Sequence, residues 1–509
     1  MICINGNELS IREVIEVARN REKISLAESS IKDIKKARKQ VEKVVEDNQI
    51  CYGITTGFGR FSDTRISPQE VLNLQENLIR SHAAGTGESL SVEVVRAMML
   101  LRINALARGH SGIRHKTIKL LVEMLNKNVH PVVPSQGSLG ASGDLAPLAH
   151  MALVLIGEGK AKVDGEEMPG EKALNKRNLE PVTLYSKEGL ALINGTQMMT
   201  AIASLVMDKA LNLLQHADIA LALTMEGLKG ILAPFNSLIH NVRPHPGQQV
   251  VAKNVYNMLE DSALVLETRE DRVQDAYSLR CAPQVHGASR DAYNHLKETV
   301  KREINSATDN PLLFPEEGEI ISGGNFHGQP LALTLDYIAM ALAELGNISE
   351  RRVFRMVDGT LNNDLPMFLT RHGGLNSGYM IAQYTSASLV GENKMLTGPA
   401  STDSIPTSAN QEDHVSMGAV SARKAMKIVD NLENIIAIEF ITACQAIDLR
   451  TDYPQNDLSE TSCKVYEIIR EEIPQLQKDR IVSHDIEKMK DIISRGEMVR
   501  EIKELINFN

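Results

Sequence analysis

Tryptophan is absent from this 509-residue chain, and Phe, Tyr and Trp together make up only 4% of it. A sandwich core rich in aromatic rings is thereby excluded. The core must be aliphatic, in keeping with 20 methionines and a hydrophobic share of 43%. Cysteine is scarce as well. Cys3, Cys51, Cys281, Cys444 and Cys463 are odd in number, widely spaced and without a Cys-x-x-Cys pair. That excludes a disulfide framework and a structural zinc site, and predicts a reducing, cytoplasmic setting. An excess of positive charge is lacking: 55 basic against 65 acidic residues give a formal charge of −10. No nucleic-acid partner is expected. The basic run Lys32, Lys35, Lys36, Arg38 and Lys39 has acids in and around it (Glu28, Asp33, Glu42) and reads as a solvated helix face.

Long apolar runs are missing too. Met151 to Ile156 and Ile219 to Leu223 are far too short to span a bilayer. The apolar stretch from Met198 to Ile231 is interrupted by Asp208, Lys209, His216 and Asp218, and reads as a long buried helix. The N-terminus turns polar within a few residues and does not resemble a signal peptide. No membrane partner is expected. There is no P-loop and no His-Glu-x-x-His, and the glycines between Gly53 and Gly59 are wrongly spaced for nucleotide binding. No metal and no external cofactor are expected.

What the sequence does carry is helical periodicity. Amphipathic patterns fill residues 8–46, with Ser10 as a plausible cap, and resume from about Pro68 to Arg108 with a break between His82 and Gly87. Helices are predicted near 116–127, 145–157, 196–232, 248–266, 285–305, 328–357, 376–396, 415–446 and 479–507. Residues 159–188 are polar and suit a short hairpin. The fold class is mainly α: a long central helical bundle, with a mixed helix-and-loop N-terminal part. The expected division is a domain over 1–195 and a helical bundle over 196–509.

The most informative segment is Ser135-Gln136-Gly137-Ser138-Leu139-Gly140-Ala141-Ser142-Gly143-Asp144-Leu145-Ala146-Pro147-Leu148. Its small residues let the backbone fold on itself, and Asp144 is placed to cap the following helix. An isolated Ala-Ser-Gly would be an ordinary turn into a helix. This longer context resembles the signature of the aromatic amino acid lyase family, which comprises histidine, phenylalanine and tyrosine ammonia-lyases and related aminomutases. The resemblance runs from about residue 45 to beyond residue 420.

That resemblance implies a homotetramer with active sites built from three subunits. It also implies that Ala141-Ser142-Gly143 cyclises to 4-methylidene-imidazol-5-one (MIO). The Gly143 nitrogen attacks the Ala141 carbonyl carbon, and Ser142 loses water to become the exocyclic methylidene. A covalent electrophile suits the chemistry, because ammonia elimination must remove a weakly acidic proton and expel a poor leaving group. Tyr52-Gly53-Ile54-Thr55-Thr56-Gly57-Phe58-Gly59 looks like the family loop whose tyrosine is an acid/base. Asn194-Gly195-Thr196-Gln197 looks like the segment whose Asn contacts MIO and the substrate carboxylate. Gln274-Asp275-Ala276-Tyr277-Ser278-Leu279-Arg280-Cys281 resembles the block with Gln274 as a binding residue, Tyr277 as a second catalytic Tyr and Arg280 as the carboxylate grip. Arg suits that grip because its fork is bidentate. Gly323-Gly324-Asn325-Phe326-His327-Gly328 resembles the loop that sets an aromatic ring, Phe326, near the MIO. His327 reads as structural.

Two features point to histidine as substrate. Ser81-His82 occupies the family's selectivity position, where tyrosine enzymes also often carry His. Glu412, in Gln411-Glu412-Asp413-His414-Val415-Ser416-Met417, matches the acidic residue of the histidine-specific members, and Ser401 to Asn410 extends the match. An imidazole offers two nitrogens for a His and a carboxylate to bracket, whereas a carboxylate facing phenyl would be unpaired. Glu412 is also a candidate to share proton transfer with Tyr52 and Tyr277. Departures are Thr55, Ala282 and His286, the last two replacing the frequent Gln and Met of the histidine pattern. The expected reaction is L-histidine to trans-urocanate and ammonia. The alternatives are a tyrosine ammonia-lyase, an aminomutase, or a scaffold that has lost catalysis.

Overall fold

Ser10 begins the first helix, Ile11–Arg19, through a capping box: its hydroxyl accepts from the Glu13 amide while the Glu13 side chain reaches back. The computed structural model describes residues 1–67 and 70–509. Helix Glu28–Glu46 follows, completing the amphipathic pair expected over 8–46, with a short parallel pair, Ile2–Ile4 on Ile24–Leu26, before and between them. The predicted restart at Pro68 lies outside the described residues; the helix there is seen as Val71–His82. Helix Val92–Ala107 comes next and is buried almost from end to end. It buries two arginines because each satisfies backbone carbonyls that would otherwise be orphaned. Arg96 donates to Val17 O at 2.9 Å and Leu125 O at 3.1 Å, both at helix ends. Arg102 donates to Thr308 O at 3.0 Å, to Gln197 Oε1 at 2.9 Å and to Ala191 O.

The chain is mainly helical, with few and short strands. Lys160–Val163 and Glu166–Pro169 form the hairpin expected in 159–188. Its turn contains Gly165 at φ +83°, where glycine is the cheapest residue. The long helices are Gln197–Gly227, Ala282–Glu303, Gln329–Val357 and Gly418–Arg450. Gln329–Val357 is long and apolar enough to cross a membrane, but 67% of its apolar window is buried. The predicted helix 479–507 is two, Val482–Arg495 and Glu497–Leu505, because Gly496 adopts φ +63° between them. Helices Glu188–Ile193 and Glu460–Glu472 and the hairpin Leu312–Phe314 on Glu319–Ile321 had no counterpart in the sequence reading.

Two compact units emerge. The first comprises Met1–Leu205, Leu296–Asp336 and Pro399–Arg423; the second comprises Val206–His295, Tyr337–Gly398 and Lys424–Asn509. The first therefore contains the whole of 1–195, continues to Leu205 and adds two later segments. The reason is local: the Ser416 hydroxyl donates to Gly140 O and the Met417 amide donates to Leu139 O, so residues far along the chain clasp the Gly140 loop.

Candidate active site

The Ala141-Ser142-Gly143 turn is held from three sides within the first unit. Gly140 and Gly143 bridge each other across it, and Gly143 bridges Gly195. Gly143 adopts φ +74°, and a Cβ there would lie 2.6 Å from the Gly195 carbonyl carbon. The position admits glycine alone, which leaves the Gly143 nitrogen unhindered. Asn194 Nδ2 donates to Ser142 O at 3.0 Å. The Asp144 amide donates to Gly195 O at 2.6 Å.

Asp144 does not cap the helix that follows it. Its backbone is at φ −94°, ψ 54°, and it makes no side-chain cap there. Its Oδ2 instead accepts from the Met199 amide at 3.0 Å, satisfying a first-turn N–H of helix Gln197–Gly227. Complete burial pushes its carboxyl up to about 7, against the amides of Met199 and Met198.

Above this turn lies a cavity of about 420 Å³, lined by Tyr52, His82, Ser142, Asn194 and Glu412 among others. Five of the residues singled out from the sequence thus meet in one space. Ala141 and Gly143 flank Ser142 beneath it. Apolar wall comes from Leu78, Leu145 and Leu190. Sequence reasoning passed over these, although Leu78 sits one helical turn before His82 and so shares its face.

The Ser142 hydroxyl donates to Glu412 Oε1 at 2.8 Å. The Thr407 hydroxyl donates to Glu412 Oε2 at 3.1 Å, and the Thr407 amide donates to Glu412 O at 2.8 Å. The chain between these two residues is bent tightly: Ser408, Ala409 and Asn410 all have positive φ, at 51°, 51° and 71°. Such non-glycine conformations cost on the order of 1–3 kcal/mol each and cluster where geometry matters for function. The sequence carried no signal for them beyond the match over 401–410.

Tyr52 OH accepts from the Gly59 amide at 3.4 Å. Its loop is pinned by Thr55, whose hydroxyl donates to Gln49 O at 2.7 Å and accepts from the Cys51 amide at 2.9 Å. Burial raises the Tyr52 phenol above its ordinary value, and the carboxylates of Glu412 and Asp309 raise it further. His82 Nδ1 lies 2.9 Å from Leu78 O, an acceptor, so that nitrogen carries the proton and Nε2 is left as an acceptor. Burial lowers the His82 pKa below its ordinary value, keeping the ring neutral near pH 7.

The remaining predicted residues stand outside this cavity. Phe326 is half-buried in the first unit and does not line it. Its neighbour His327 stacks on His414 at 5.6 Å, a packing role. Gln274, Tyr277 and Arg280 belong to the second unit. There Gln274 and Tyr277 are exposed, and the Arg280 guanidinium lies 4.5 Å over the Tyr277 ring.

A buried small-residue turn with an asparagine on its central carbonyl lies beside one cavity that a tyrosine, a histidine and a carboxylate line. The aromatic amino acid lyase pattern matches residues 9–471, and the chain belongs to that family. It is 53% identical over 506 residues to the histidine ammonia-lyase of Natranaerobius thermophilus, covering 99% of each chain. It is 52% identical over 503 residues to that of Gloeobacter violaceus, covering 99% of this chain and 97% of the relative. Among solved structures, histidine ammonia-lyase from Trypanosoma cruzi superposes with a TM-score of 0.92 at 42% identity, over 99% of this chain and 95% of that one. A tyrosine aminomutase from Streptomyces globisporus superposes at 0.95 with 39% identity, over 100% and 99%. One fold therefore carries more than one reaction.

Proposed function

We infer that the chain is a histidine ammonia-lyase, converting L-histidine to trans-urocanate and ammonia without oxidation. The observation that carries this reading is Glu412. Its carboxylate meets the hydroxyl of Ser142 at 2.8 Å, in the cavity that His82 also lines. His82 Nε2 and the Glu412 oxygens are both acceptors. A protonated imidazole offers one N–H to each of these acceptors, whereas a phenyl ring offers none and leaves His82 Nε2 desolvated without a donor. A phenol could satisfy His82 but not the carboxylate as well, so Glu412 separates histidine from tyrosine.

The residues present fit an MIO group made from Ala141-Ser142-Gly143. The turn is tight, the Gly143 nitrogen is unhindered, and the clasp through Gly195 and Ser416 leaves the tripeptide little freedom to relax. The group supplies an electrophile that takes up the substrate and makes its amine a better leaving group. Asn194 donates to the Ser142 carbonyl oxygen, where negative charge develops. Tyr52, held protonated at neutral pH, handles a proton at its phenolic oxygen. Glu412 stands beside the Ser142 side chain and shares proton transfer at the substrate's β-carbon.

Arg280 holds the carboxylate with Asn194, while Gln274, Tyr277 and Phe326 complete the site. A homotetramer in which neighbouring copies complete each active site is part of this reading, as the family match implies. The five free cysteines agree with a cytoplasmic enzyme.

Parallel assays with histidine, tyrosine and phenylalanine test the substrate. A β-amino acid product would establish the aminomutase reading, which the Streptomyces globisporus likeness favours. Mass spectrometry of the 141–143 peptide tests the group itself: an intact tripeptide, without loss of two waters, leaves only an inactive scaffold.

A further inference from the structure

The second unit buries a chain of charged groups that the reaction above does not use. Arg352 and Glu439 are both fully buried. They pair through two bonds, Nε to Oε1 at 2.5 Å and NH2 to Oε2 at 2.8 Å. Arg352 NH1 donates to His286 Nε2 at 3.2 Å. An arginine only donates, so Nε2 is the acceptor and the proton sits on Nδ1. That nitrogen donates to Asp218 Oδ1 at 2.8 Å, and Arg290 donates to Asp218 Oδ2 at 2.6 Å. Two carboxylates, two guanidiniums and one neutral imidazole make a balanced set. Burial lowers the His286 pKa, in agreement with the neutral ring.

Such a network is a poor stability device, since well-packed apolar residues of the same volume are often as good. Its geometry suggests another use. Arg352 NH1 also reaches Ser278 O, at 3.4 Å. Ser278 lies inside the short helical turn Tyr277–Arg280. The other end of that turn is fixed by Asp275, whose Oδ2 accepts from the Ile231 amide at 2.7 Å. Leu279 anchors the turn in the core, at 1% exposed, while Tyr277 is 70% exposed. The turn thus has an apolar anchor, a carboxylate pin at one end and a guanidinium pin in the middle.

We propose that Arg352, oriented by Glu439 and His286, is a positioning residue that fixes the Ser278 carbonyl and thereby aims Tyr277 and Arg280. The proposal rests on the roles inferred above for those two side chains. The turn closes only a few backbone bonds of its own, from the Leu279 and Arg280 amides to Ala276 O and from the Cys281 amide to Tyr277 O, too short a ladder to be stiff by itself, so its direction depends on the pins. His286 is the residue that departs from the frequent Met of the histidine pattern. Here it supplies the acceptor that keeps Arg352 NH1 beside Ser278 O.

The test uses Arg352→Lys, which keeps a cation beside Glu439 but loses the fork, with His286→Met as a milder second variant. Arg352→Lys is expected to raise KM for histidine by on the order of tenfold, since small misplacements of binding groups have large effects. His286→Met should act in the same direction by less. In the Arg280→Ala background, Arg352→Lys should add little further to KM, because its effect passes through Arg280. Hydrogen exchange at the amides of Leu279, Arg280 and Cys281 should speed up in both variants, a readout that does not depend on activity. Unchanged exchange there, or a KM effect that persists in full without Arg280, overturns the proposal. If Arg280→Ala itself leaves KM unchanged, the carboxylate role of Arg280 fails by itself, and faster exchange still supports the relay.

Discussion

Gly143→Ala is the substitution with the most direct structural reasoning. The backbone at 143 has φ +74°. An L-residue other than glycine at such an angle costs roughly 1–2 kcal/mol. The added Cβ would lie 2.6 Å from the carbonyl carbon and 3.0 Å from the nitrogen of Gly195. Gly195 cannot step aside cheaply. A Cβ on Gly195 itself would sit 2.5 Å from Arg102 NH1 and 2.6 Å from Thr308 O, so the space behind it is already filled. Its carbonyl also accepts the Asp144 amide at 2.6 Å. Overpacking of this kind costs roughly 1–3 kcal/mol. The sum is about 2–5 kcal/mol against the turn conformation that seats Gly143 on Gly195. At about 1.4 kcal/mol per factor of ten, cyclisation should slow by at least about thirtyfold. The assay is the mass of the 141–143 peptide at intervals after synthesis, alongside a denaturation curve to show that the chain folds. A folded Gly143→Ala protein that loses both waters at the parental rate would refute the argument that the clasp drives the cyclisation.

Further expectations concern the cavity and the core. Glu412→Gln should lower kcat/KM for histidine by roughly 10²–10⁴, the range for a lost acid/base group, and lower the preference for histidine over tyrosine; an unchanged preference removes Glu412 from substrate selection. Tyr52→Phe should lower kcat by a similar factor and, with β-deuterated histidine, change the isotope effect; unaltered turnover removes Tyr52 from proton transfer. Glu226 is fully buried, and burial pushes its carboxyl from 4.5 up to about 7. Because that value is raised in the fold, its contribution to stability is complete below pH 4.5 and is lost as pH rises through about 7. Glu226→Gln should therefore gain on the parent across that window in denaturant titrations, and parallel curves would count against it.

The chain is nearly superposable on an aminomutase in fold. The backbone is shared. The two sequences are 39% identical, so the shared fold does not by itself fix the reaction. Burial matters as much as identity. Desolvation lowers the pKa of His82 and raises that of Tyr52, favouring the neutral form of both.

The sequence by itself determined the helical class, most helix positions and the reaction. Period-3.6 patterning, prolines and the cap at Ser10 are local signals, and the Ala-Ser-Gly turn sits in a context specific enough to name its chemistry. Local signals end where packing begins. That Glu412 reaches Ser142 across 270 residues, and that Asp144 serves helix Gln197–Gly227 rather than its own, depend on which surfaces bury each other. The positive-φ run at Ser408 to Asn410 is equally invisible to propensity, because the surrounding fold imposes it. The charged relay behind Tyr277 and Arg280 is of the same kind. Its members lie at 218, 286, 290, 352 and 439, and helical periodicity alone would give each an ordinary place on a helix. Only the tertiary structure joins them, since a charge leaves water only where another is already waiting to compensate it.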